Sequence, residues 1–399
     1  MGQRLIGFGA SVGVGALVGA ICGLASAAFL WLLEWATQTR DTHEALIFGL
    51  PLAGLVMGRV YERYAGPTRN GTNLIIETIR GLGARVPIRM APMISLGTLA
   101  THLFGGSAGR EGTAVQMGGS LADGVAQVLK LGPALRRQAL IAGVAGGFGS
   151  VFGTPIAGAV FALEFVTLGK VDLELALPAL AAAFVGDWVT RAVGTVHTQY
   201  PQVLAAPTSP SLFAWWVVFA VGIAVTATLF IESTQGLRRL SERWLPGRAT
   251  RMFVGGLIVV VLWRLAGTSE YLGLGMPFIV RTFTDPSLPV YAFAAKGLFT
   301  VVTLGAGFLG GEVTTLFFIG AALGNVMARG LGLPLSLGAG VGMAATFGTA
   351  SKTPLAVSVM AMELLGASVF PHVVLVAVLA TAMTGRRSIY EAQLAPPVA

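Results

Sequence analysis

One segment concentrates the chemistry of this chain: Gly105-Gly106-Ser107-Ala108-Gly109-Arg110-Glu111-Gly112-Thr113. Glycines precede an apolar run, so a helix is predicted to begin near Thr113. The first N–H groups of a helix have no intrahelical acceptor, and its dipole places positive charge there. Such a start receives an anion. Glu111 stands at that same place, so its carboxylate can fill the anion position, and protonation would release it from the amides. One residue is then both gate and proton carrier. The plainer alternative is a structural ion pair with Arg110. An ionisable side chain isolated in an apolar segment is a functional candidate by default.

The same stretch also matches Gly-x-Ser-x-Gly through Ser107, with His102 nearby. A serine hydrolase working inside the membrane is therefore the rival from another class. It needs a Ser–His dyad and an oxyanion hole. His102 lies only five residues upstream, and His43, His197 and His372 sit in no recognisable motif. The match is disfavoured, no enzymatic activity is expected, and His102 reads as a buried histidine with its bonds satisfied. Cys22 is the one cysteine, so no internal disulfide and no cysteine metal cluster can form. Neither a metal nor a cofactor is expected.

The elements that must position Glu111 are membrane helices. Of 399 residues 54% are hydrophobic and only 11% are charged, against about 25% in a soluble domain. The mean hydropathy is +0.77. A water-soluble or disordered chain is excluded, and the lipid bilayer is the expected solvent. The net charge of +8 fits cytoplasmic loops facing anionic lipid. No basic face interleaved with aromatics exists, so no nucleic acid is expected. The apolar run from Leu5 to Leu33 exceeds a signal-peptide core and reads as a retained first helix. Many later apolar stretches, such as 91–105, 138–150, 155–168 and 354–366, are shorter than the roughly 20 residues that span hydrocarbon upright. Several end at Gly105-Gly106, Gly146-Gly147, Thr154-Pro155, Gly310-Gly311 or Thr353-Pro354. Short, broken helices survive in a bilayer only where they line a protein-buried cavity. The segment from Arg238 to Arg251, read as a loop, carries five Arg and one Glu, whereas 195–212 carries no charge. The positive-inside rule puts the first in the cytoplasm and the second outside.

The chain repeats itself. Gly109-Arg110-Glu111-Gly112-Thr113 matches Gly310-Gly311-Glu312-Val313-Thr314, the two Glu lying 201 positions apart. Thr154-Pro155-Ile156-Ala157 with Glu164 matches Thr353-Pro354-Leu355-Ala356 with Glu363, at an offset of 199. Duplicated halves broken at corresponding places point to a binding site at their interface. The expectation is an all-α polytopic membrane protein with two inverted-topology repeats. The first repeat is 1–195, the linker 196–211 is extracytoplasmic, and the second repeat is 212–399 with no cytoplasmic regulatory domain. Glu164 and Glu363 read as structural.

Gly109-Arg110-Glu111-Gly112, its Gly-rich lead-in, the following Val115-Gln116-Met117-Gly118 and the duplicated halves resemble the CLC anion channels and transporters. Thr113 replaces a proline common after this Glu-Gly. That departure, with Gly311-Glu312-Val313-Thr314-Thr315, resembles the bacterial branch that exports fluoride in exchange for protons. The resemblance implies fluoride ion and protons as partners, a multi-pass place in the bacterial inner membrane, and a homodimer with one pore per subunit. It implies that Glu111 is the external gating glutamate and that Gly71-Thr72-Asn73 is the first anion-coordinating loop. Thr72 takes the coordinating position there; Asn70 takes it in the alternative register, and an ordinary turn and cap is the plain reading. By the same resemblance Gly112, Thr113, Asn73 and Thr314 belong to the anion-binding set, with Gly109, Arg110, Gly311 and Val313 supporting. Glu312 helps move protons, or caps the following helix. Tyr390 forms the inner gate, or an interfacial tyrosine. Phe165 stands where chloride exchangers have an inward proton glutamate, and Leu74-Ile75-Ile76 where some fluoride members carry phenylalanines. Lys352 reads as a loop cap. A chloride/proton exchanger or a passive chloride or fluoride channel of the same family is the alternative.

Overall fold

The computed structural model describes residues 2–83, 85–166, 172–203 and 210–394, with side chains from residue 9 onward. The expected linker over 196–211 lies partly outside the described residues. The first half contains α1 (Gly2–Thr42), α2 (Leu50–Tyr64), α3 (Thr72–Ile79), α4 (Met90–Leu103), α5 (Glu111–Val128), α6 (Pro133–Phe152), α7 (Pro155–Glu164) and α8 (Ala176–Ala192). The second contains α9 (Pro210–Trp244), α10 (Arg248–Ala266), α11 (Met276–Arg281), α12 (Ala292–Gly305), α13 (Val313–Leu331), α14 (Leu335–Ser351), α15 (Pro354–Leu365) and α16 (Phe370–Met383). No β-strand occurs among the described residues.

The two sets of eight match in order and in length. The short helices α3 and α11 have 8 and 6 residues. The central pair α5 and α13 has 18 and 19. The pair α7 and α15 has 10 and 12. Proline opens both α7 and α15, where a missing N–H costs nothing. Six helices among the described residues are long and apolar enough to cross a membrane. Among the others, α3, α7, α11 and α15 are the short kind that lipid tolerates only under protein cover.

Inversion is visible in one reciprocal contact. Glu164, near the end of α7, accepts the N–H groups of Leu355 at 3.1 Å and Ala356 at 2.8 Å, which open α15. Glu363, near the end of α15, accepts those of Ile156 at 3.0 Å and Ala157 at 2.7 Å, which open α7. Equivalent helices therefore run antiparallel, each start capped by the other repeat's carboxylate. This is the structural work the sequence suggests for both glutamates. Charged hydrogen bonds contribute about 1.5–3 kcal/mol each. Glu164→Ala should therefore lower the thermal midpoint of the purified protein by several degrees. An unchanged midpoint would contradict the capping role.

Glycine is used for backbone approach. A Cβ at Gly118 would overlap the Gly143 carbonyl where α5 meets α6, and one at Gly320 would overlap that of Gly342 where α13 meets α14. Only hydrogen fits, and without a hydrophobic force between helices in lipid such contact is what holds them.

Two boundaries differ from the sequence reading. Helix α5 starts at Glu111 itself rather than near Thr113. The arginine-rich stretch is mostly helical: α9 runs on to Trp244 and α10 begins at Arg248, leaving 245–247 as the connection. Arg238 and Glu242, one turn apart with Nε–Oε1 3.4 Å, support that extension.

Candidate functional site

Helices α5 and α13 start at the same place from opposite repeats. The strands of chain that lead into them touch through an antiparallel bridge between Gly109 and Gly311. The Gly109 N–H donates to the Gly311 carbonyl at 2.6 Å, and the reverse bond is 2.8 Å. Two positive helix ends thus converge on one buried point.

The Glu111 carboxylate fills that point. It is fully buried and accepts the Thr314 N–H at 3.2 Å, the Thr314 hydroxyl and the Arg110 N–H at 3.1 Å. Arg110 Nε lies 3.5 Å away. The ion pair of the plainer alternative is present, but Thr314 of the other repeat supplies two of the three hydrogen-bond donors. Glu312 is the equivalent residue of the other repeat, and its carboxylate lies against Gly112, about 3.8 Å from where a Cβ would stand. The capping alternative for Glu312 is not realised, because its side chain makes no cap hydrogen bond to α13.

A cavity of about 170 Å³ opens beside this bridge, lined by Asn70, Gly71, Thr72, Asn73, Gln116, Glu312 and Tyr390. Thr72 is the first residue of α3, turned into place by Gly71 at φ +54°. Both registers proposed for the coordinating residue, Thr72 and Asn70, line the cavity. Gln116 Nε2 lies 3.3 Å from the Thr72 oxygen and donates to it. The Thr72 proton is then left for an acceptor in the cavity. Asn73 instead turns its carbonyl oxygen to the Ala392 N–H at 3.1 Å.

The Thr113 hydroxyl pairs with that of Thr98 in α4 at 2.7 Å, so this side chain braces α5. Gly109, Gly112, Gly311 and Val313 form the buried floor of the bridge. Tyr390 is buried, lines the cavity and sits edge-on to Phe165 with centroids 5.4 Å apart. Phe165 stacks on Phe161 at 5.1 Å, and Phe161 on Phe148 at 4.2 Å. An aromatic column therefore backs Tyr390. Sequence reasoning missed this column, although Phe161 and Phe165 share a helix face. Leu74, Ile75 and Ile76 are buried core.

The serine motif forms no dyad. Ser107 Oγ meets Thr300 Oγ1 at 3.0 Å, and His102 is buried away from it. Lys352 donates to the Thr381 carbonyl at 3.0 Å and to the Thr384 hydroxyl, fastening the end of α16.

A family model described as voltage gated chloride channel matches residues 50–385. The chain belongs to the CLC family. A curated relative from Pseudomonas syringae pv. tomato, named chloride/fluoride channel protein, is 44% identical over 385 residues, 94% of this chain and 84% of that one. The H(+)/Cl(-) exchange transporter ClcA of Cronobacter sakazakii is 28% identical over 354 residues, 82% of this chain and 72% of that one. Among solved structures, a CLC-type fluoride/proton antiporter matches with a TM-score of 0.93 at 32% identity, covering 96% and 97% of the two chains. A slow cyanobacterial Cl-/H+ antiporter matches with a TM-score of 0.83 at 18% identity, covering 96% of each chain, and shares the fold. The protein is a polytopic membrane anion transporter of the CLC family.

Proposed function

We propose that this CLC protein exports fluoride from the cytoplasm in exchange for inward protons. The observation that carries the reading is the Glu111 carboxylate held by Thr314 and by the converging starts of α5 and α13. A carboxylate and a fluoride ion are both strong hydrogen-bond acceptors, so they compete for one set of donors. Protonation neutralises Glu111, removes its advantage there and lets it leave. The anion then enters. Return of the carboxylate expels it, and each swing moves a proton.

Fluoride demands dense donation. Removing a carboxylate-sized ion from water costs on the order of 20 kcal/mol by the Born estimate, and a smaller ion costs more. Helix-start amides with the hydroxyls of Thr72, Thr314 and Tyr390 supply donors without a fixed positive charge, which would trap the ion. Binding must stay weak enough for release. Glu312, against Gly112 and on the cavity wall, is positioned to pass protons between the cavity and Glu111. The names of the Pseudomonas relative and of the fluoride/proton antiporter support the choice of fluoride. We further propose a homodimer in the bacterial inner membrane, serving resistance to fluoride that accumulates as its neutral acid. The word channel in the relative's name favours a second reading, passive anion flow.

Ion efflux from proteoliposomes under an imposed pH gradient separates these readings. Fluoride efflux with little chloride efflux and proton movement against its gradient is the expected result. Equal chloride flux, or fluoride flux without protons, would overturn the antiport reading.

A further inference from the structure

We infer that Gln393 is a positioning residue for the anion site: its side-chain amide fixes the Tyr390 hydroxyl on the ion path without touching the ion. Gln393 is buried and stands outside the lining of the cavity that Tyr390 enters. Its Nε2 donates to the Phe165 carbonyl at 2.7 Å and to the Ser351 carbonyl at 3.0 Å. Its Oε1 accepts the Ser388 hydroxyl at 2.7 Å, and Ser388 Oγ in turn accepts the Tyr390 N–H at 3.0 Å. The chemistry settles which end of the amide is which. Two carbonyl oxygens only accept, so they need the NH2. The Ser388 oxygen already takes an N–H, and its own proton goes to Oε1. Both amide protons and the amide oxygen are thereby engaged.

One amide holds both members of a ring contact. Tyr390 packs edge-on against Phe165 with centroids 5.4 Å apart. Gln393 takes the backbone of Phe165 directly and that of Tyr390 through Ser388. Phe165 closes α7 of the first repeat, and Ser351 ends α14 of the second. Carbonyls at a helix end have no intrahelical donor, so Gln393 supplies one to each repeat. The turn around it is fastened to α3 as well. The Ala392 N–H meets Asn73 Oδ1 at 3.1 Å near the start of that helix, and the Ala392 carbonyl accepts Arg80 Nη1 at 2.6 Å at its end. Thr72 is the first residue of α3, so the same turn braces two of the hydroxyls assigned to the anion. Tyr390 itself lies outside any helix, and its place is set by these bonds rather than by a helical ladder. Hydrogen bonds weaken steeply once their geometry is lost, so a hydroxyl free to wander is a poor donor. The inference rests on the fluoride reading, in which the Tyr390 hydroxyl is one of the donors to the ion.

The test is a double-mutant cycle, read as fluoride flux from proteoliposomes over graded internal fluoride. Tyr390→Phe removes the donor and keeps the ring. Gln393→Met keeps the length of the side chain and removes its hydrogen bonds to Phe165, Ser351 and Ser388. Each change alone should raise the half-saturating fluoride concentration roughly 3- to 10-fold. Together they should raise it no further than Tyr390→Phe alone, because Gln393 acts through that hydroxyl. Effects that multiply in the double variant would overturn the inference. So would an unchanged half-saturation in Gln393→Met with a lowered thermal midpoint, which is what a plain helix cap predicts. Ser388→Ala cuts the link to the Tyr390 N–H and leaves both helix ends held, so it serves where Gln393→Met does not fold. It should shift half-saturation in the same direction by less, and a shift that persists in the Tyr390→Phe background would also count against the inference. Wild-type half-saturation in Tyr390→Phe would remove the donor that Gln393 places, and the inference with it. A wild type that moves no fluoride would overturn the underlying reading instead, so the two failures are separate.

Discussion

Glu111→Gln is expected to keep fluoride flux and lose proton movement. The carboxylate accepts the Thr314 N–H, the Thr314 hydroxyl and the Arg110 N–H, and faces the Arg110 guanidinium. A glutamine has the same shape but one acceptor oxygen, and its NH2 would point at groups that are themselves donors. Each lost charged bond removes about 1.5–3 kcal/mol, and each buried donor left unpaired adds a further cost. The side chain is therefore pushed out of the place it guards, and the anion path stays open. It also has no proton to titrate, so coupled proton uptake should fall more than ~10-fold, to background. Simultaneous fluoride-electrode and pH recordings on proteoliposomes read both quantities. Intact proton coupling in this variant would sink the gating assignment. Loss of both fluxes with a normal thermal midpoint would assign Glu111 to the anion site's construction rather than to the gate.

Much of this was legible in the sequence because the decisive features are local. A glycine cluster before a lone glutamate, repeated some 200 positions later, needs no tertiary information to be noticed. Proline after threonine marks the starts of α7 and α15 in the same way. What the sequence hides is which repeat serves which. The amides expected around Glu111 were those of its own helix, yet the strongest partner is Thr314 from the other half. Likewise Glu164 and Glu363 look structural from spacing alone, but their exchange of partners across the repeats is a product of inversion. Thr113 and Thr98 carry no spacing signal, so the bond between their hydroxyls could not be read in advance. The arginines near 240 were placed correctly as a basic group and wrongly as a loop. Charged residues at helical spacing extend a helix beyond the membrane, and composition alone does not separate the two.

Gly109→Ala is expected to cost both stability and coupling. A Cβ at position 109 would stand 2.9 Å from the Gly311 oxygen and 3.0 Å from both Glu111 Oε2 and the Thr314 nitrogen. Real Cβ atoms do not approach backbone so closely, and the neighbours here are backbone in two cases of three. The bridge must open or one repeat must shift. Overpacking of this kind costs about 1–3 kcal/mol. Loss of the bridging bonds at 2.6 and 2.8 Å leaves buried N–H and C=O groups unpaired at about 1–3 kcal/mol each. The carboxylate loses its position at the same time, so the thermal midpoint and the proton-to-fluoride ratio should fall together. Pairing the change with Glu111→Ala distinguishes the contacts. That second substitution removes the carboxylate clash but not the one with Gly311. If the bridge between repeats is what matters, the double variant stays as unstable as Gly109→Ala alone. Recovery of the midpoint would shift the cause to the glutamate, and with it the claim that the two repeats are locked together at this point.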